Sequence, residues 1–106
     1  METKAHFYQF LVFCIFGESY DFDRPTKIDN PDELIETVEQ ILDTFSDAEI
    51  SYIRQRFGLL DGELKTHEDL ALLLKMEPSE MKSLEIEIMR KLRHPMRSQL
   101  LRRFLD

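Results

Sequence analysis

From Asn30 onward, apolar positions recur at helical spacing and polar residues punctuate them. Leu34, Ile35, Val38, Ile41, Leu42 and Phe45 form one stripe along a predicted helix, which Asn30 caps and Pro31 opens. Asp32 and Glu33 suit its positive end. Ser46-Asp47-Ala48-Glu49 is a capping-box pattern opening a second helix, whose apolar line is Ile50, Ile53 and Phe57 and whose stop is Gly58. Leu60-Asp61-Gly62-Glu63 reads as a turn. Thr66-His67-Glu68-Asp69 repeats the capping pattern ahead of a short helix over Leu70–Leu74. Glu77-Pro78 then breaks the chain and starts a helix over 78–92, with Met81, Leu84, Ile88 and Leu92 as its apolar face. Pro95 opens a last short helix through Leu105.

Residues 1–29 follow another pattern. The run Phe7–Phe16 is almost continuously apolar and rich in aromatic and β-branched types, as a strand covered on both faces would be. Gly17-Glu18-Ser19 signals a turn, and Tyr20-Asp21-Phe22-Asp23 alternates like a half-buried edge strand. A β-hairpin is the expectation, with a short buried helix as the rival that periodicity cannot separate over ten residues. The chain is thus expected to divide into an aromatic-rich, hairpin-like extension (1–29) and a mainly α domain (30–106), without internal repeats. The apolar run could also hold a homodimer together through residues 7–16.

Composition narrows the chemistry. The 106 residues are 42% apolar and 33% charged, which fits one small globular domain. The lone Cys14 excludes an internal disulfide framework and suits a reducing cytoplasm. His6, His67 and His94 stand singly, without metal-ligand spacing. The three glycines form no phosphate loop, and no nucleophile stands near a histidine at a recognisable spacing. Neither catalysis nor a cofactor is expected. Phe7–Phe16 is too short to span a bilayer. Glu2 in the would-be leader and the absence of a small-residue cleavage site argue against a signal peptide.

Charge changes the picture more than composition does. Residues 90–106 carry about +5 (six cations against Asp106), while residues 1–89 carry about −12 (eight bases against twenty acids). A net charge of −7 argues against general affinity for nucleic acid or anionic membrane. Contact with polyanions is expected only from the tail.

The order of residues in that tail is informative. Arg90-Lys91-Leu92-Arg93-His94-Pro95, then Arg97-Ser98, then Phe104-Leu105-Asp106 resembles the end of region four of the bacterial primary sigma factors. Ile53–Leu59 (IRQRFGL) is similar to that family's LRxRFGI string, Thr66–Leu70 stands where the family has TLEEV, and Glu85 stands where its reading helix has a glutamate. The resemblance spans about residues 34–106. It implies a helix-turn-helix bundle whose second helix reads the upstream (−35) promoter element with Arg, Glu and Gln, and which grips the flap of the polymerase β subunit.

At the reading positions this chain has Pro78, Ser79, Glu80, Lys82 and Ser83. From Lys75 to Met89, two lysines face four glutamates. Guanine is read by arginine forks and phosphates by cations, so weakened promoter reading is expected. The leading expectation is therefore a transcription regulator that engages RNA polymerase, chiefly the β flap. A DNA-binding sigma-like initiation factor and an adaptor keeping only the fold are the alternatives. Candidate polymerase or DNA contacts are Arg54, Arg56, Lys82 and Ser83, with Arg90, Lys91, Arg93, Arg97, Arg102 and Arg103 of the tail. Leu59, Leu60, Leu72, Leu73, Leu100, Leu101 and Phe104 are the candidates for an apolar cleft that embraces a partner helix.

Overall fold

The computed structural model describes residues 3–105; Glu2 and Asp106, used above in the charge and leader arguments, lie outside the described residues. The described chain is an all-α bundle. Its helices are α1 (Thr3–Ile15), α2 (Pro31–Leu42), α3 (Asp47–Arg56), α4 (His67–Leu74), α5 (Pro78–Leu92) and α6 (Pro95–Leu101), followed by a 3-10 turn over Arg102–Leu105.

From α2 onward the local chemistry acts as its spacing predicts. Asn30 Oδ1 accepts from the Glu33 N–H at 3.1 Å, satisfying one of the orphan donors of α2. Ser46 and Glu49 form a reciprocal capping box at α3, at 3.3 and 2.9 Å. Thr66 and Asp69 do the same at α4, at 3.1 and 3.4 Å. At α6, His94 Nδ1 accepts from the Met96 N–H at 3.2 Å. After α3 the chain reverses through Gly58 at φ +70°, where a Cβ would sit 3.0 Å from the Phe7 ring and 3.3 Å from the Glu63 backbone. Glycine is required there twice over, by the left-handed backbone and by the close approach of α1.

The expected N-terminal hairpin is replaced by a helix. α1 is apolar around most of its circumference, which is what a helix buried on several sides requires and what a fully covered strand also requires. Tyr8, Leu11, Val12 and Ile15 join Leu34, Leu42, Ile53, Leu70, Met81, Ile88, Leu92 and Leu101 in a single core. Each fully buried aliphatic side chain there contributes about 1.5–3 kcal/mol. The alternation at Tyr20 and Phe22 is real but belongs to no strand. Both rings fold back onto α1, Tyr20 at 5.1 Å from Phe13 and Phe22 at 5.2 Å from Phe10, centroid to centroid. The Tyr20 hydroxyl donates to the buried Gln9 at 2.9 Å. Of the run expected to hold a homodimer (residues 7–16), Tyr8, Leu11, Val12, Phe13 and Ile15 are buried inside their own chain, and Phe7, Phe10, Cys14 and Phe16 are partly buried against it.

Candidate polymerase and nucleic-acid interface

α4 and α5 are joined by Lys75, Met76 and Glu77, and together they make the helix-turn-helix corner. Lys75 turns the chain in the left-handed region at φ 56°. Leu70 and Met81 bury the inner faces of the pair, and Ile88 and Leu92 carry α5 into the main core. The outer face of α5 therefore presents Ser79, Glu80, Lys82 and Ser83 to solvent, where a base-reading helix would meet DNA. The Glu80 carboxylate turns back to accept from the Glu77 N–H at 3.0 Å. Across the corner, His67 Nε2 lies 2.7 Å from Glu85. Beneath Glu85 lies the Tyr52 hydroxyl, deeply buried and without a well-formed hydrogen bond. Its burial and the neighbouring carboxylate push the phenol strongly upward, so it stays neutral.

The arginines of α3 face inward. Arg54 grips Glu39 of α2 with both guanidinium nitrogens, at 2.8 and 2.6 Å, and Tyr8 of α1 donates to the same carboxylate at 2.6 Å. The Arg54 guanidinium and the Tyr8 hydroxyl hold the Glu39 carboxyl below its ordinary range, against the opposing effect of burial. Burial and the Glu39 contact push the Tyr8 phenol up to about 12. Arg56 donates to the Lys65 carbonyl at 2.8 Å, and its Nε is buried without a partner. Both side chains tie the chain to itself, and neither presents a free cation to a polyanion.

The tail divides. Lys91 reaches back to the buried Glu49 at 2.6 Å, Arg90 pairs with Glu87, and Arg103 pairs with Glu33 at 2.6 Å. Among the described residues, Arg93, Arg97 and Arg102 have no carboxylate partner. Arg93 donates to the Ile15 carbonyl at the end of α1 at 2.8 Å. Arg97 donates to Thr44 Oγ1 at 3.2 Å and lies 5.2 Å from the Phe45 ring centre. Arg102 lies 4.8 Å from that of Phe16. Lys82 and Ser83 stand apart from this group, on α5.

The predicted apolar cleft also separates into parts. Leu59 and Leu101 are 4% and 1% exposed and belong to the core, and Phe104 packs half-buried against it. Leu72 and Leu73 stay exposed on α4 and, with Leu64, line one shallow cleft, while the exposed Leu60 lies in the α3–α4 loop. Leu100 lines a second groove of about 270 Å³ between α2 and α6, with Ile41, His94, Met96 and Arg97 on its walls. Met96, 73% exposed, escaped the sequence reading. Its signal was the i, i+4 pairing with Leu100 on a short helix that buries Ser98 and Leu101.

No family model matches the chain. It is 36% identical over 90 residues to the RNA polymerase sigma factor SigA of Lactococcus lactis subsp. cremoris, a match covering 85% of this chain and 25% of that protein. It is likewise 36% identical over 91 residues to SigA of Listeria monocytogenes serovar 1/2a, covering 86% of this chain and 24% of that one. The chain thus spans about a quarter of the length of these relatives. A match of 90 residues in a chain of 106 must include residues 17–90, so the similarity extends upstream of the α2 stripe, beyond the strings that first suggested it. Over most of its length, then, this chain is similar to a segment of the RNA polymerase sigma factor SigA, consistent with the region-four-like pattern of its sequence.

Proposed function

We propose that this protein regulates transcription by engaging bacterial RNA polymerase, through the β flap, with little or no reading of the promoter. The observation that carries the reading is the first half of the outer face of α5, where Ser79, Glu80, Lys82 and Ser83 are exposed and no arginine stands; Arg90, exposed near the far end of the same helix, is paired with Glu87. A base-reading surface built this way lacks forks for guanine and repels phosphate. Docking on apolar area is retained instead. The α2–α6 groove offers Ile41, Met96 and Leu100 beside Arg97, which suits an amphipathic partner helix.

Isolated flap fragment and −35 duplex DNA, titrated separately against the protein, distinguish the readings. Binding to the fragment, weakened about tenfold or more by Arg93→Glu with Arg97→Glu, is the expected result. Tight, steeply salt-dependent binding to the −35 duplex over a scrambled one would overturn it in favour of a DNA-binding initiation factor. That second reading draws on Lys82 and Arg102, which are exposed, but not on Arg54 and Arg56, which are engaged within the fold. Failure of both titrations would leave an adaptor.

A further inference from the structure

The α4–α5 corner encloses a groove of about 440 Å³ that neither the flap nor DNA accounts for. Its floor is apolar, made by Ala71, Pro78 and Met81, and its rim carries Glu68 and Glu85 against Lys82, with His67 lying 2.7 Å from Glu85. Glu77 and Glu80 extend the acidic character beyond one end of the groove. The matching surface is on the same chain. α6 presents Met96 and Leu100, 73% and 50% exposed, one helical turn apart. Arg97 stands beside them on α6 and Arg93 precedes the helix at the C-cap of α5; they donate to Thr44 and to the Ile15 carbonyl, and neither has a carboxylate partner among the described residues. One surface is an apolar slot with acidic edges, the other a pair of apolar side chains with cationic edges.

We propose that a second copy of this chain seats its α6 in the α4–α5 groove, giving head-to-tail self-association. Met96 and Leu100 enter the slot, and Arg93 and Arg97 meet Glu68 and Glu85. The two surfaces differ, so the contact is heterologous. Each copy keeps one free groove and one free α6 and can extend the chain of subunits. A net charge of −7 on each copy opposes association, but screening confines that repulsion to about 10 Å at physiological salt, while the opposed patches touch. A contact built on one seven-residue helix lies at the small end of the interface range, so the association is weak and concentration-dependent. Assembly also covers the α6 face assigned above to the polymerase. Subunits within an assembly are then withheld from it. The self-association itself does not rest on that assignment.

Sedimentation of the full chain alone tests the idea. The average mass is expected to rise above 12.7 kDa with concentration and to return to it when the salt is raised to about 0.5 M. A groove variant (Glu68→Lys with Glu85→Lys) and an end variant (Arg93→Glu with Arg97→Glu) should each stay monomeric at every concentration. Mixed together, they should associate again, because the intact groove of one meets the intact α6 of the other and the two charge-reversed surfaces are complementary as well. Ala71→Arg fills the groove without altering Glu85 and replaces the first variant if circular dichroism shows it unfolded. A wild-type mass fixed at the monomer value, variants that associate as the wild type does, or a mixture that stays monomeric would overturn the proposal.

Discussion

The α4–α5 corner and the C-terminal tail are the acidic and basic poles of this chain, and they use their charges differently. At the corner, Glu68 and Lys82 are exposed and make no ion pair among the described residues, while Glu85 faces His67 and the Tyr52 hydroxyl. In the tail, three of six cations are neutralised by carboxylates from α2, α3 and α5, and the others hold a carbonyl, a hydroxyl or an aromatic face. A segment's formal charge is therefore a poor measure of the charge it offers a partner. Half of the tail's cations are paired with carboxylates of their own chain, two of them across helices and Arg90 within α5 itself. At the corner, Glu68 stays without an ion pair among the described residues, while Asp69 and Glu80 cap their helices.

The comparison would break if tail and corner were appendages on a separate core. Met81→Ala at the corner and Leu101→Ala in the tail should each cost about 2–5 kcal/mol in chemical denaturation, with one cooperative transition in both. Two separate transitions, or a loss well under 1 kcal/mol for Leu101→Ala, would show that the tail is not part of the core.

A sharper contrast lies between neighbouring residues. Lys91→Ala strands the buried Glu49 carboxylate and should cost about 1–3 kcal/mol. Arg90→Ala removes a fully solvated pairing with Glu87 and should leave the thermal midpoint unchanged. Equal effects would mean that burial does not distinguish the two pairs. Two adjacent cations of the same string would thus have unequal roles in the fold.

The smallest effect is in acid. Glu39 is held below its ordinary value by Arg54 and Tyr8, so the folded state binds its proton less readily than the unfolded chain does. Its contribution is complete above the ordinary value of 4.5 and is lost as pH falls through the lower folded value. Thermal midpoints measured from about pH 6 down to about pH 2.5 should therefore fall more steeply for the wild type than for Glu39→Gln. Parallel curves would remove Glu39 from the account.

Much of the fold was legible because its signals are local. The Asn30, Ser46 and Thr66 caps, the Pro78 and Pro95 starts and the apolar stripe of α2 depend on residues a turn apart, and they formed as read. The N-terminal segment was not legible. A fully covered helix and a fully covered strand carry the same unbroken apolar run, and only the bundle it packs against distinguishes them. The candidate site was legible in part. The α5 face, defined by helical spacing from Met81 and Ile88, stands in solvent as read, whereas Leu59 and Leu101 went to the core and Arg54 to Glu39.

The sequence by itself determined the helix starts from residue 30 onward, the resemblance to sigma factors and the absence of arginine at the reading positions, because each lies in the identity and spacing of near neighbours; the last helix ends at Leu101 and passes into a 3-10 turn rather than running to Leu105. Tertiary structure alone decided that α1 shares the core, which leucines stay exposed and which arginines keep their charge free. Those outcomes depend on partners such as Glu39 for Arg54 and Glu49 for Lys91, which are 15 and 42 positions distant in the chain. No local pattern encodes a contact of that range.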